Sequence, residues 1–398
     1  MGSQAVGSGR GAARPQSSRS GPRTFGVEEE LLLVDASGAR PVAAAEDMVR
    51  LYEESAGSRV RADEGFEITL EVKQEQIEVR YPPRVSLDEQ LIAISHGRSL
   101  ADAAAVRAGV RAVAVATSPH PVLPHLVEQP RYRKMSERFG LTLQETLTCG
   151  FHIHVGIDSR QEGVAVLDRI RIWLPVILAL SSNSPFWNGM DSGYNSYRYQ
   201  VWNRWPTAGP TDLFGSTEEY DRQVQTLLEC GVPLDPGMIY FDARLSARYP
   251  TIEVRLADVC MDYRHAAALA AVVRALVEAA SRQWRSGMEP PAVTAMLLQA
   301  WSWQASRAGV EGKLVSPLTG RPHAAGDVVA DLLEFIHPVL KEWQEDTLIE
   351  SLITDVLRDG PGARRQRQVH AETSDLAAVV RDALELIHRA DPSVPEAE

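Results

Sequence analysis

The chain's 398 residues suffice for one large α/β domain or two ordinary ones, and 44% hydrophobic with 24% charged residues is the balance of a soluble globular protein. A net charge of -12 argues against general nucleic-acid binding, because phosphate recognition needs a basic surface. Cysteines at 149, 230 and 260 are too few and too scattered for a disulfide framework or a metal knuckle, which points to a reducing, cytoplasmic setting; the apolar run Leu174 to Leu180 is far short of the roughly 20 residues that span a bilayer.

Residues 1–23 are mostly Gly, Ser, Ala and Arg with little to bury, so a disordered tail is expected there, without the apolar stretch of a secretory signal. Order is expected from Thr24. In the strand that follows, Glu28 and Glu30 share one face and Glu29 takes the other, by the alternation of strand side chains. Like charges side by side repel when buried, and a bound cation removes that cost; an edge strand with a wet acidic face is the alternative. A helix is expected at Ala44 to Glu54, then a second acidic strand region from Phe66 to Tyr81, closed by Pro82-Pro83. Within it Glu78 lies on the face of Gln74, Gln76 and Arg80, whereas Glu71 falls on the opposite face unless a bulge intervenes. Ser86 and Glu89 form a capping box for a long helix to about Ala108. A short buried strand at Arg111 to Ala116 and a proline-rich loop carrying His120 and His125 come next.

Gly150-Phe151-His152-Ile153-His154-Val155-Gly156 is the most informative stretch. As a strand it packs Phe151, Ile153 and Val155 behind and projects His152 and His154 together, with the two glycines on the histidine face leaving room for a ligand near the backbone. A helix from about Gln161 to Ser181, kinked at Pro175, leads into residues 181–207, which interleave three Trp and three Tyr with Asn, Arg198 and Arg204. That mixture suits a cup for a small polar ligand, the arginines gripping carboxylate or phosphate oxygens; a loop pinned to the core by its own aromatics is the alternative. Two strands at Tyr240 to Asp258 put Glu253 and Arg255 on one face. Helices are expected at about His265 to Trp284, Pro291 to Ala308, Asp327 to Phe335 and Asp375 to Arg389, with Arg364-Arg365-Gln366-Arg367 as a solvated connector between the last two.

Four apolar-backed strands thus carry carboxylates, two imidazoles and an arginine at alternate positions. A mostly oxygen-donor site favours Mg²⁺ or Mn²⁺ over Zn²⁺, and Mg²⁺ held by few protein ligands favours a nucleotide guest. Neither a GxxxxGK[ST] nor a GxGxxG pattern occurs, so phosphate would be gripped on a sheet and not at a helix N-terminus.

In order and spacing these segments resemble the bacterial carboxylate-amine ligase family, the type 2 glutamate-cysteine ligases of the glutamine synthetase-like superfamily. The likeness is carried by Gly26 to Glu30, Gly150 to Gly156, Ser184-Pro185-Phe186-Trp187 through Arg204-Trp205-Pro206, Ile252 to Arg255 and Trp303 to Gly309. The resemblance implies an α+β fold in which a curved, mainly antiparallel sheet forms an active-site funnel with helices on its outer side. It implies a catalytic domain at 24–367 followed by a C-terminal helix and tail at 368–398, and a homo-oligomer. ATP and Mg²⁺ are implied, with Glu28, Glu30, Glu71, Glu78, His154 and Glu253 matching metal ligands, His152 a residue near metal or phosphates, and Arg255 one that contacts the transferred phosphoryl group. The implied reaction phosphorylates a side-chain carboxylate with ATP and passes the acyl group to an amine. Arg198, Arg204 and Arg248, with Trp205, are candidates for holding the acid. A ligase for another acid and amine, a metal-dependent amidohydrolase and a non-catalytic ATP or amino-acid binding protein remain as other readings.

Overall fold

The computed structural model describes residues 21–37, 40–55 and 65–387. In chain order the first half runs β1 (Phe25–Asp35), α1 (Ala45–Ser55), β2 (Glu67–Leu70), β3 (Gln76–Arg80), α2 (Leu87–Arg107), β4 (Val110–Val113), α3 (Pro130–Phe139), α4 (Leu141–Glu145), β5 (Gly150–Gly156), α5 (Arg160–Ile170) and α6 (Leu174–Ser181). A hairpin of β6 (Phe186–Trp187) and β7 (Met190–Asp191) precedes α7 (Tyr197–Trp202), α8 (Thr217–Glu229), β8 (Ala243–Leu245) and β9 (Thr251–Asp258). The rest is α9 (Tyr263–Ser286), α10 (Ala295–Ala308), the hairpin β10 (Lys313–Val315) with β11 (Pro322–Ala324), then α11 (Ala325–Glu342), α12 (Asp346–Asp359), α13 (Gly362–Thr373) and α14 (Leu376–Ile387).

Seven strands form one open antiparallel sheet, six of them in the order β2-β3-β1-β5-β9-β8 with β4 paired to β1 off this path. Strand β1 pairs β3 along one edge; along the other it pairs β5 through Glu29 and β4 from Leu32 onward. One face is apolar: Val27, Leu31, Val79, Ile153, Val155, Val254 and Leu256 are all buried against helices. The long helix α9 crosses behind β1 and β5 with α2, α5, α11 and α12 around it. Glu29 is the charged exception on this face. Arg98 of α2 donates to it at 2.5 and 3.0 Å, Tyr81 donates its hydroxyl at 2.6 Å, and Arg98 also reaches the Cys260 and Met261 carbonyls. One fully paired charge therefore ties α2, the sheet and the start of α9 together, the condition under which a buried ion is tolerated.

Several expectations are corrected. Residues 1–20 of the expected tail lie outside the described residues, but Arg23 belongs to the core: it is 1% exposed and ion-paired to Glu162 at 2.6 Å and Glu278 at 2.7 Å. The helix expected from Gln161 to Ser181 is two helices. Pro175 does not kink it but sits in the first turn of α6, where a missing N–H leaves nothing unpaired. The Arg364 to Arg367 connector is part of α13: Arg365 pairs with Asp382, Arg367 with Asp191, and buried Gln366 donates to Asn183. A boundary at 367 would cut this helix.

Candidate active site

The other face of the sheet is polar, and strand register decides what meets on it. Glu28 lies opposite both Arg80 and His152, Glu30 opposite Glu78, His154 opposite Glu253, and Glu253 opposite Arg244. Arg255, two residues on from Glu253, stays on the same face beside His152, and the β5–β9 pairing shifts between Phe151 and Ile153. These side chains form one wall of a cavity of about 530 Å³. The facing wall comes from α3, α4, the segment 202–205 and the turn at 235–240, and brings Arg131, Tyr132, Met135, Leu143, Trp202, Trp205, Asp235 and Tyr240.

Charge is crowded on the sheet wall. Arg255 pairs with Glu253, which Arg244 also holds at 2.8 Å; burial alone would raise the Glu253 carboxyl, but the two arginines keep it below its ordinary range. Burial would raise Glu28 too, and the imidazoles of His152 at 3.4 Å and His154 at 3.6 Å pull it down instead. Glu71 is pushed up to about 7 by burial and the nearby Glu30, and Glu78 well above its ordinary value by burial, Glu71 and Glu28. Burial, with Arg255 beside it, lowers His152, leaving a neutral imidazole able to act as a ligand.

Two sets of donor atoms lie within 4.8 Å of one another: Glu28, His152 and Glu253, and Glu30, Glu78 and His152. Both include His152, so this imidazole, expected near metal or phosphates, is common to the two clusters. His154 stands alongside, its Nδ1 3.0 Å from Thr251 Oγ1 and its Nε2 buried without a hydrogen bond. Glu71 lines the cavity next to Glu78 although strand parity turned it away. The reason is that Phe66 to Tyr81 is not one strand: β2 ends at Leu70, and the turn before β3 resets the alternation.

The aromatic loop is pinned to the core, by buried Phe186, Tyr199 and Trp205 and by polar groups. Asp258 accepts from Asn183 N, Ser184 Oγ and Ser196 Oγ at 2.7–2.8 Å. Arg198 is 1% exposed and lies outside the cavity lining; it donates to the Leu256 carbonyl at 3.1 Å and fills the space a side chain at Gly150 would take. That glycine thus makes room for an arginine and not for a ligand. Arg204 is also off the cavity and pairs with Glu145 at 2.6 Å. Trp205 and Arg248 do line it, and among the described residues the Arg248 guanidinium has no partner. Arg131, Asp235, Tyr240 and Arg244 went unrecognised as cavity residues; only Arg244, opposite Glu253 on a paired strand, had a signal in the alternation pattern. His265, His323 and His337, which a histidine-rich hydrolytic centre would draw on, lie outside the cavity.

The model of glutamate-cysteine ligase family 2 matches residues 24–384, past the boundary expected at 367. The "Putative glutamate–cysteine ligase 2-1" of Paenarthrobacter aurescens (strain TC1) is 47% identical over 368 residues, covering 92% of this chain and 95% of its own length. The "Putative glutamate–cysteine ligase 2" of Streptomyces coelicolor is 45% identical over 359 residues, 90% of this chain and 97% of that one. In fold, the chain is similar to a solved glutamate–cysteine ligase from Francisella tularensis in complex with AMP, with TM-score 0.65 and 11% identity over 94% of this chain and 90% of that one. No helix of the described residues is long and apolar enough to cross a membrane. With most of its length matched by the family model and by relatives above 40% identity, this chain belongs to glutamate-cysteine ligase family 2.

Proposed function

We infer that the protein is an ATP-dependent carboxylate-amine ligase that makes an amide through an acyl phosphate, with glutamate as the acid and cysteine as the amine its family name indicates. The observation that carries this reading is the single sheet face on which Glu28, Glu30, Glu78, His152, Glu253 and Arg255, with Glu71 from the turn after β2, line one cavity. So many buried carboxylates are costly without a cation: mutual repulsion and burial already push Glu71 and Glu78 toward the protonated form. The donor set is mainly oxygen with one or two imidazoles, which fits Mg²⁺ or Mn²⁺, and the buried, unbonded Nε2 of His154 is a further donor for an ion. Glu28, Glu30, Glu71, Glu78 and Glu253 with His152 and His154 would hold such ions, which when bound neutralise phosphate charge and polarise the phosphoryl oxygens.

The chain's own groups do the rest. The acid's side-chain carboxylate attacks the γ-phosphorus of ATP in line and ADP leaves; Arg255, fixed by its pair with Glu253, faces the charge that spreads over the equatorial oxygens. The amine nitrogen then attacks the acyl carbon, phosphate leaves, and the amine proton passes to a carboxylate of the cluster. The apolar part of the facing wall, with Trp202, Trp205, Met135 and Leu143, limits water at the acyl phosphate. Phosphate release from ATP tests the reading when acid and amine are supplied singly and together. Release that requires both supports a ligase, whereas amide cleavage without ATP contradicts it.

A further inference from the structure

On the wall facing the carboxylates, one ion pair stands apart. Arg131, in the first turn of α3, donates Nε to Asp235 Oδ2 at 2.7 Å and Nη2 to Oδ1 at 3.1 Å. Both side chains remain about a third exposed, at 39% and 34%, and both line the cavity. The remaining Arg131 nitrogen, Nη1, meets only the Met135 thioether at 3.3 Å, a weak acceptor that leaves most of its donor capacity unused. Gly237 keeps the space before the pair clear. Its backbone has an ordinary negative φ, so conformation does not demand glycine, yet a Cβ there would come within 2.9 Å of Asp235 Oδ1 and 3.4 Å of Arg131 Nη2.

A cation and an anion held side by side at a cavity wall match the zwitterionic head of an α-amino acid. The two substrates of a ligase differ in how they could use it. The amine substrate must keep its nitrogen neutral and free to attack, so an anion that pairs with an ammonium group would work against it. The acid substrate reacts at its far carboxylate, and its own α-ammonium is a bystander. We propose that Arg131 and Asp235 clamp the α-carboxylate and α-ammonium of the acid substrate, which rests on the ligase reading above and assigns the regiochemistry to this pair. With the head pinned on this wall, only the side-chain carboxylate of a dicarboxylic amino acid points across to the sheet face. The wall is coupled to that face: Arg244 holds Glu253 at 2.8 Å and the Ile239 carbonyl, just beyond Asp235, at 2.8 Å.

The test measures ADP formation by the full chain with ATP, Mg²⁺, saturating cysteine as the amine and each of three acids: glutamate, glutarate, which lacks the ammonium, and γ-aminobutyrate, which lacks the α-carboxylate. The wild type should prefer glutamate over each analogue by about tenfold or more in kcat/KM. Asp235→Asn should collapse the glutamate to glutarate ratio toward one, and Arg131→Gln the glutamate to γ-aminobutyrate ratio, each mainly through KM. Gly237→Ala, which keeps both charges and so serves if Asp235→Asn folds poorly, should raise the KM for glutamate more than that for glutarate. Variants that lower all three acids by the same factor in an active background, or that leave the ratios unchanged, overturn the clamp. A wild type that turns over none of the acids overturns the ligase reading itself, and the two failures are told apart before any variant is made.

Discussion

Glu253 is held by two arginines and lies on the cavity wall. Glu253→Gln leaves the buried Arg255 without its counter-ion and should lower the thermal midpoint; in protein that circular dichroism shows to be folded, it should lower ATP turnover by at least about 100-fold, the scale expected when charge stabilisation at a phosphoryl group is removed. Near-normal turnover would show that the cluster is misassigned. Glu253, Arg255, Glu28, Glu30 and His152 were legible in the sequence because strand alternation is local and reports its own face. Arg198 was not: an arginine in an aromatic-rich segment looks like a ligand group, and only the fold reveals that it fills the space above Gly150 and donates to Leu256. Arg198→Met should accordingly lower the thermal midpoint while leaving the KM for the acid of the remaining folded enzyme little changed.

Strands and helices were legible where periodicity alone defines them, as in β1, β5, β9 and the capping box of α2. What escaped was set by distant partners. Helix α13 is rich in Arg and Gln and reads as a connector, because its stability comes from Asp382, Asp191 and Asn183, partners outside the helix itself. Behind it, Val379, Val380, Ala383 and Leu384 of α14 are buried. Truncation after residue 367 should thus yield protein with a much reduced denaturation midpoint, contrary to a domain that ends there. The Glu29 and Arg98 pair belongs to the same class of long-range contact. Glu29→Gln leaves Arg98 charged and buried without its counter-ion and should cost about 3–5 kcal/mol in urea denaturation, the usual penalty for breaking a buried pair.

The molecule as a whole is a sheet with one face devoted to stability and the other to charge, and both should show in solution. Asp242, fully buried under the Tyr199 hydroxyl, is pushed by burial from an ordinary 3.8 up to about 7. The folded state keeps that proton where the unfolded chain has lost it, so this group's contribution to stability falls as the pH rises from about 4 to about 7 and is level above that. Asp242→Asn should remove that fall, so that the stability difference between variant and wild type grows across the same window. On the charged face, Mg²⁺ or Mn²⁺ should raise the melting temperature of the wild type, a hundredfold excess over Kd being worth about 2.7 kcal/mol, and a chelator should reverse it. Glu28→Gln should blunt the effect.

All of these rest on the sheet face acting on a carboxylate through ATP, and the path of a single oxygen atom reports on that. Acid labelled with heavy oxygen in its side-chain carboxylate is turned over with ATP and the amine, and the released phosphate is examined by phosphorus NMR or mass spectrometry. An acyl phosphate requires one labelled oxygen to move from the acid into each phosphate released. Unlabelled phosphate accompanying amide formation would contradict phosphorylation of the carboxylate and, with it, the roles of Arg255 and the carboxylate cluster in phosphoryl transfer.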